Sequence, residues 1–392
     1  MKMYDAIVVG AGPAGSMTAY YLASAGADVL LLDRATFPRD KPCGGGVTGR
    51  AAQALPFSIE PVVEHVVTLA ELGLGYGKRV ERGSGAPLVY MTQRKRLDAH
   101  LVGHATRAGA ELRDGVRVTA VGSNGRGPTV VAGGERLHTR ALVGADGANG
   151  ITAKALGLGG NRDVGVALEG NASYDLVDQG RYRGRLLIEF DTVPGGYAWV
   201  FPKGDHANFG VGGWGSSGPR LRAELARLCR VHGIQMDDLT ELRGFRLPLR
   251  SPGSELARGA TCLVGDAGGL IDPVSGDGMF EGFHSGWRAS EAILDLLAGR
   301  VEGLEGYSTR LGRELATHYY ASWSVKATLD RFPRTSFAIA QTGLVWNVVE
   351  GIIRGQIRDV HGARRLAKPG LKALAVLARW AGDPGRAYRV AA

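Results

Sequence analysis

The stretch that most constrains this chain lies almost at its start: Asp5-Ala6-Ile7-Val8-Val9-Gly10-Ala11-Gly12-Pro13-Ala14-Gly15. The apolar run Ala6–Val9 predicts a buried parallel strand, and Ser16–Ala25 predicts a helix. Between them, Gly10 allows a tight turn, Gly12 lets backbone approach a pyrophosphate, and Gly15 lets helix and strand pack closely. Pro13 and Ala14, in the same turn, are candidate cofactor contacts, and the N-terminal N–H groups of the helix suit phosphate. A second strand, Asp28–Leu32, ends on Asp33, 23 residues beyond Gly10, where a ribose-binding carboxylate is expected. Strand, glycines, helix and acid together predict a dinucleotide site, without separating NAD from FAD.

Beyond Asp33 and Arg34 the chain runs into Lys41-Pro42-Cys43-Gly44-Gly45-Gly46, a loop whose backbone can lie against something flat or anionic. Val47–Leu55 reads as a helix entered through Thr48, and Val62–Leu69 and Pro87–Met91 as β runs. Arg94–Ala108 reads as a helix, with Leu97, Leu101 and Ala105 on one face. Strands are expected at Val116–Val121, Thr129–Ala132, Leu137–Thr139 and Ala141–Ala148, the last closing on Asp146-Gly147. From Val164 the pattern becomes antiparallel, with strands at Gly184–Phe190, Tyr197–Pro202 and Ala207–Gly213. A helix (Pro219–His232) and a strand (Leu242–Leu249) follow. A strand and loop at 260–277 lead into a helix over Gly278–Ala298, and Glu305–Ala392 reads as helical with basic faces.

At 392 residues, 44% hydrophobic and 22% charged, the chain has material for two to three domains. The net charge of +9, carried more by Arg than Lys, suits a phosphate-bearing ligand or an anionic membrane surface. There is no nucleic-acid motif. Cys43, Cys229 and Cys262 have neither zinc nor C-x-x-C spacing, so no metal site or disulfide framework is expected and a reducing compartment is. Without a signal peptide or a run of about 18 apolar residues, the expectation is a cytoplasmic protein. Four features carry two readings each. Arg94 opens a helix against the dipole, a cost without a local benefit, which favours a ligand contact over a structural role. Cys43 is a buried hydrophobe or, behind Lys41, an acidified thiol. Tyr197, Trp199 and Phe201 share a strand face, as sheet core or as the aromatic wall of a substrate pocket. Segments 336–353 and 371–381 form a packed helical subdomain or a surface that meets lipid.

Three separated motifs, Gly10-x-Gly12-x-x-Gly15 with Asp33, Gly144-Ala145-Asp146-Gly147 and Leu263-Val264-Gly265-Asp266-Ala267, resemble the FAD-binding fold of p-hydroxybenzoate hydroxylase-like flavoproteins. Within that group, Lys41–Gly46, Gly196-Tyr197-Ala198-Trp199-Val200-Phe201-Pro202 and Asp272-Pro273-x-x-Gly276-Asp277-Gly278 resemble the geranylgeranyl reductase branch. The resemblance runs from about residue 3 to about residue 300. It implies an α/β fold: a Rossmann-like FAD-binding domain in three pieces (1–65, 93–163, 258–300), crossover strands (66–92), an antiparallel β substrate domain (164–257) and C-terminal helices (301–392). Carried over, Asp33 holds the adenosine ribose beside Arg34, Arg94 reaches phosphate or ribityl oxygens, and Val118 meets the adenine through its backbone. Asp146, Gly265 and Asp266 hold the ribityl–pyrophosphate region. Pro273, Gly276, Gly278 and Met279 surround the pyrimidine edge, the last two offering N–H groups. Cys43, Gly44 and Gly45 lie by the isoalloxazine. Many members carry Glu at Asp277 and Asp or Glu at Gly45; here Gly45 removes an acid from that place.

The resemblance further implies reduction of isoprenoid double bonds by reduced flavin, with Cys43 as the candidate proton donor or flavin-tuning group. The chain has a single dinucleotide fingerprint, so NAD(P)H binds transiently or a reduced protein carrier supplies electrons. The rivals are an FAD-dependent monooxygenase of an aromatic or polyketide substrate and a flavin-dependent halogenase, because the same fold serves all three.

Overall fold

The computed structural model describes residues 2–124, 127–160, 163–357 and 376–382. The opening apolar run is the strand Met3–Val9, parallel to Glu135–Gly144 on one side and Val29–Leu32 on the other. Ala6–Val9 are buried because both sheet faces are covered. The sheet runs in the order Ala257–Arg258, Thr261–Leu263, Glu135–Gly144, Met3–Val9, Val29–Leu32, Glu111–Arg113. A hairpin of Val118–Asn124 and Gly127–Ala132 extends from Glu135–Gly144. That last strand is one continuous element, where the sequence predicted two broken at Arg140. Its first half alternates and its second half is buried throughout, so the change of period concealed its continuity.

The helix Pro13–Ser24 packs on Met279–Leu297 through small residues. A β-carbon on Gly286 would lie 2.7 Å from the Ala14 carbonyl oxygen, so the helices touch backbone to backbone. The helix Arg94–Arg107 joins Pro13–Ser24 around Met17, Leu97, Leu101 and Phe283.

The second sheet runs Thr240–Pro248, Val164–Ser173, His206–Trp214, Tyr197–Pro202, Arg185–Phe190, Leu69–Leu74, Lys78–Gly83. It is antiparallel except where Leu69–Leu74, arriving from the nucleotide-binding half, pairs in parallel with Arg185–Phe190. One face, with Ala198, Val200, Phe209 and Val211, packs around Leu221, Leu225 and Leu228 of the helix Gly218–Val231. The other carries Tyr197, Trp199 and Phe201.

A small third sheet joins Gly46–Thr48, Val89–Met91 and His65–Val67. The predicted helix from Val47 therefore begins later: Val47 is a strand residue, and the Thr48 hydroxyl caps Gly49–Gln53 by accepting from Ala51 N at 3.2 Å. C-terminal helices occupy Glu305–Arg331, Pro333–Ala340 and Gly343–Ile353, and part of the 371–381 segment lies outside the described residues. Among the described residues no single helix is long and apolar enough to cross a membrane; Pro333–Ala340 and Val345–Ile353 pass only as a pair bent by 83°.

Candidate active site

The glycine turn is held from several sides. Gly10 has φ +104°, and a β-carbon there would lie 2.3 Å from the Ala145 carbonyl oxygen. One on Gly15 would lie 1.8 Å from the Gly10 carbonyl oxygen, so both positions exclude a side chain. Gly12 instead faces two cations: a β-carbon there would lie 3.6 Å from the Arg39 guanidinium and 4.0 Å from that of Arg94. Buried Asp33 accepts from Ala11 N at 2.8 Å and Ala35 N at 2.9 Å, pinning the turn to the end of the second strand. Arg94 is buried in a two-pronged pair with Asp98, both contacts 2.7 Å, and Arg39 joins the same carboxylate at 2.8 Å. Arg94 therefore has the local partner that the sequence reading denied it, and still faces Gly12. The result is a backbone cradle under two guanidiniums, which suits a pyrophosphate.

Asp146 lies behind this cradle. It accepts from Ile151 N at 2.7 Å, Thr152 N at 3.0 Å and the Thr152 hydroxyl at 2.5 Å, so it organises the turn into Thr152–Leu156. Gly265, with φ +55°, packs on Ala14, and Asp266 accepts from Lys41 Nζ at 3.2 Å. Lys41 thus turns its charge to Asp266. A β-carbon on Gly278 would lie 3.1 Å from Asp266 Oδ1. The Met279 N–H expected to face a ligand donates instead to Asp277 Oδ1 at 2.8 Å. Pro273 and Gly276 lie in a turn where Gly276 N donates to Asp272 O at 3.0 Å. Val118 opens its strand half-buried beside the Tyr4–Leu30 core, and Arg34 is exposed.

Around that turn Asp272, Asp277 and Glu281 are packed together. Burial pushes Asp277 up to about 6 and Glu281 well above the carboxylate range. Burial also pushes Asp272 up, but hydrogen bonding and charge from His318, 3.0 Å away, hold it below that range.

The Cys43 loop meets the second sheet here. A β-carbon on Gly44 would lie 2.8 Å from the Phe201 ring and 3.7 Å from Trp199 Nε1. The rings of Tyr197, Trp199 and Phe201 follow one another at 5.9 and 6.1 Å, on one face as expected. Tyr197 OH donates to the Ser275 carbonyl oxygen, and Trp199 Nε1 to Asn208 Oδ1 at 2.8 Å. The aromatic strand is thereby joined to both the Pro273–Gly278 turn and the Cys43 loop.

Two residues of this junction escaped the sequence reading. Lys203 is buried, and its Nζ donates to Gly44 O at 2.5 Å and Thr92 O at 2.9 Å. Burial pulls its pKa down against the raising charges of Cys43 and Glu169. Glu169 is also buried, and its Oε1 accepts from Cys43 N at 2.6 Å. Burial pushes its carboxyl up to about 7, opposed by the Lys203 charge and the Cys43 N–H. The available signal, for Glu169, was the one acid in the strand Val164–Ser173, following the apolar run Val164–Leu168.

An FAD-binding-domain family model matches residues 3–178. The menaquinone reductase of Mycobacterium tuberculosis is 33% identical over 313 residues, covering 74% of this chain and 76% of the relative. The chain belongs to the geranylgeranyl reductase family of FAD-dependent oxidoreductases. A second member, the digeranylgeranylglycerophospholipid reductase of Methanothrix thermoacetophila, is 30% identical over 80% of this chain and 85% of its own. The family fold also appears in a geranylgeranyl bacteriochlorophyll reductase-like protein of Thermoplasma acidophilum, with TM-score 0.82 at 22% identity, over 96% of this chain and all of that one. FAD is the cofactor of this geranylgeranyl reductase family member, and the cradle fits it: two guanidiniums facing Gly12, and two glycines that tolerate no side chain beneath.

Proposed function

We propose that this chain reduces carbon–carbon double bonds of an isoprenoid group, carried on a lipid, a diphosphate or a quinone tail. The observation that supports this most is the meeting of Trp199 and Phe201 with the Cys43-Gly44-Gly45 loop, which sets an aromatic wall against the loop assigned to the flavin side. Two relatives whose names specify different head groups, menaquinone and a glycerophospholipid, have the prenyl chain in common.

Reduced FAD, when bound, supplies hydride. Everything else falls to the chain. The turn Gly10–Gly15, with Asp33, Arg34, Arg94, Asp146, Gly265 and Asp266, holds the nucleotide, and Val118 meets its adenine. Pro273, Gly276, Gly278 and Met279 border its ring. Cys43, Gly44 and Gly45 line the other side, with Cys43 as a donor or tuning group. An isolated alkene accepts hydride poorly, so a proton must reach one carbon as hydride reaches the other. The neighbouring carbon then gains cationic character, which the faces of Trp199 and Tyr197 stabilise in a dry pocket. The exposed Trp380, at 80%, suits contact with the lipid surface from which such a substrate comes, at the cytoplasmic face of a membrane. Electrons come from NAD(P)H or a reduced protein carrier.

The test is anaerobic. The FAD-loaded protein is reduced with dithionite and given geranylgeranyl diphosphate or a short menaquinone, and product mass is followed. A gain of two hydrogens with flavin reoxidation is expected. Unchanged mass, with substrate-stimulated NAD(P)H oxidation only when O2 returns, would replace this reading with a monooxygenase.

A further inference from the structure

A carboxyl group sits where the site lacks an acid. Gly45 is glycine, and Lys203 fills the space a side chain there would need. Glu169 reaches the same loop from the substrate sheet. Its strand neighbours in register are Gly210 and, one strand further, Trp199. Residues in register share a face, so Glu169, Gly210 and Trp199 form one row across about 10 Å of sheet. Gly210 lets the indole lie over the row: a β-carbon there would lie 2.0 Å from Trp199 Cζ2. Glu169 thus flanks the aromatic platform on one side and the Cys43 loop on the other.

Its two oxygens differ. Oε1 accepts from Cys43 N, whereas Oε2 is buried without a hydrogen-bond partner. Leaving a buried polar atom unpaired is costly, so such an atom beside the Cys43 loop points to a ligand or a transferable proton. The charged and titratable groups facing the carboxyl are Lys203, Cys43, Asp40 and Arg243. Arg243 is engaged by Asp40 at 2.9 Å and Glu241 at 3.0 Å, and Lys203 by two carbonyls. Neither cation bonds Glu169 directly, so burial dominates and favours the protonated form near neutral pH.

We propose that Glu169, through its free Oε2, is the acid that protonates the substrate double bond. This rests on the reductase reading above. The Oε2–H bond breaks as a C–H bond forms at one alkene carbon, and the other carbon takes hydride from the reduced flavin, which is oxidised. Glu169 is left as carboxylate and regains its proton from solvent before the next cycle. Cys43 is then a positioning residue for the carboxyl through its backbone N–H.

The test pairs a readout that does not depend on turnover with one that does. Infrared difference spectra of the resting FAD-loaded protein, recorded across pH 5–9, are expected to contain a protonated-carboxyl band titrating near neutrality. That band should vanish in Glu169→Gln. In anaerobic single turnovers with geranylgeranyl diphosphate, Glu169→Gln should retain FAD and dithionite reduction but lose about 10²-fold or more in alkene reduction, with loss of the pH limb near neutrality. Glu169→Asp, which keeps an acid, should recover part of the rate. Wild-type alkene reduction matched by Glu169→Gln would overturn the proposal, as would a wild-type spectrum lacking the band. If the wild type reduces no prenyl substrate while the band is present, the reductase reading fails and the acid role with it, but the protonated carboxyl stands.

Discussion

Lys203 Nζ stands 1.7 Å from where a β-carbon on Gly45 would lie. One residue of the substrate sheet therefore occupies the side-chain space of one residue of the loop, and fixes the loop's height above the aromatic strand. Gly45→Ala must displace a buried ammonium and also accept φ +74°, a conformation that by itself costs about 1–2 kcal/mol for an L-residue. The expected result is a lower thermal midpoint and weaker FAD retention, read by melting and by flavin absorbance after gel filtration. A midpoint equal to wild type would show that the loop is not held in this way.

Lys203→Met leaves the Gly44 and Thr92 carbonyls without their charged donor, a loss of about 1.5–3 kcal/mol for each such bond. It also removes the charge that holds Glu169 down. The Glu169 titration should therefore move upward, seen as a shift of its carboxyl band to higher pH; a downward shift would contradict the charge arrangement.

Stability should carry the Glu169 signature as well. Its folded pKa, about 7, lies above the ordinary 4.5, so the folded chain binds this proton more tightly than the unfolded chain. The contribution is complete below pH 4.5 and is lost as pH rises through 7. Across that window it amounts to about 3 kcal/mol at most. Urea midpoints of wild type and Glu169→Gln, measured without flavin from pH 5 to 8, should separate as pH rises, the wild type losing stability that the neutral amide keeps. Parallel curves would mean that the carboxyl is not protonated in the folded chain.

Asp33→Ala removes the acceptor for the buried N–H of Ala11 and the half-buried N–H of Ala35 at the base of the cradle. The variant is expected to fold with a loss of about 2–3 kcal/mol and to bind FAD at least ~10-fold more weakly. Isothermal titration of the apoprotein checks this, and unaltered affinity would assign Asp33 to the turn alone.

Cys43→Ser keeps the backbone N–H that Glu169 receives, and its hydroxyl can accept from Gly45 N as Sγ does at 3.3 Å. FAD content should match wild type, while turnover falls about tenfold if sulfur takes part in the chemistry. Full turnover would leave Cys43 only its backbone role.

What could be read in the sequence was what depends on near neighbours. Gly15 must be glycine because of Gly10, five residues earlier, and the strand–turn–helix around them is a local necessity. The aromatic alternation at Tyr197, Trp199 and Phe201 likewise needs only the two-residue period of a strand. The Arg94–Asp98 pair was legible too but went unread, its two members lying one helical turn apart, where an i,i+4 pair is expected. Glu169 and Lys203 are another matter. Each acquires its character from burial against a loop more than a hundred residues earlier, and local composition marks only Glu169, as the one acid in its strand. The occupied Met279 N–H was hidden for the opposite reason: the Asp277 side chain folds back on its own turn.

The sheet order has a consequence for how the protein is made. Glu135–Gly144 lies between Met3–Val9 and Thr261–Leu263, and the glycine turn rests on a helix that begins at Met279. Leu69–Leu74 waits for Arg185–Phe190 to pair with it. The nucleotide turn thus leaves the ribosome well before the helix Met279–Leu297 on which it rests, so the cradle closes, and flavin is captured, only after the whole substrate sheet lying between them in sequence has been synthesised.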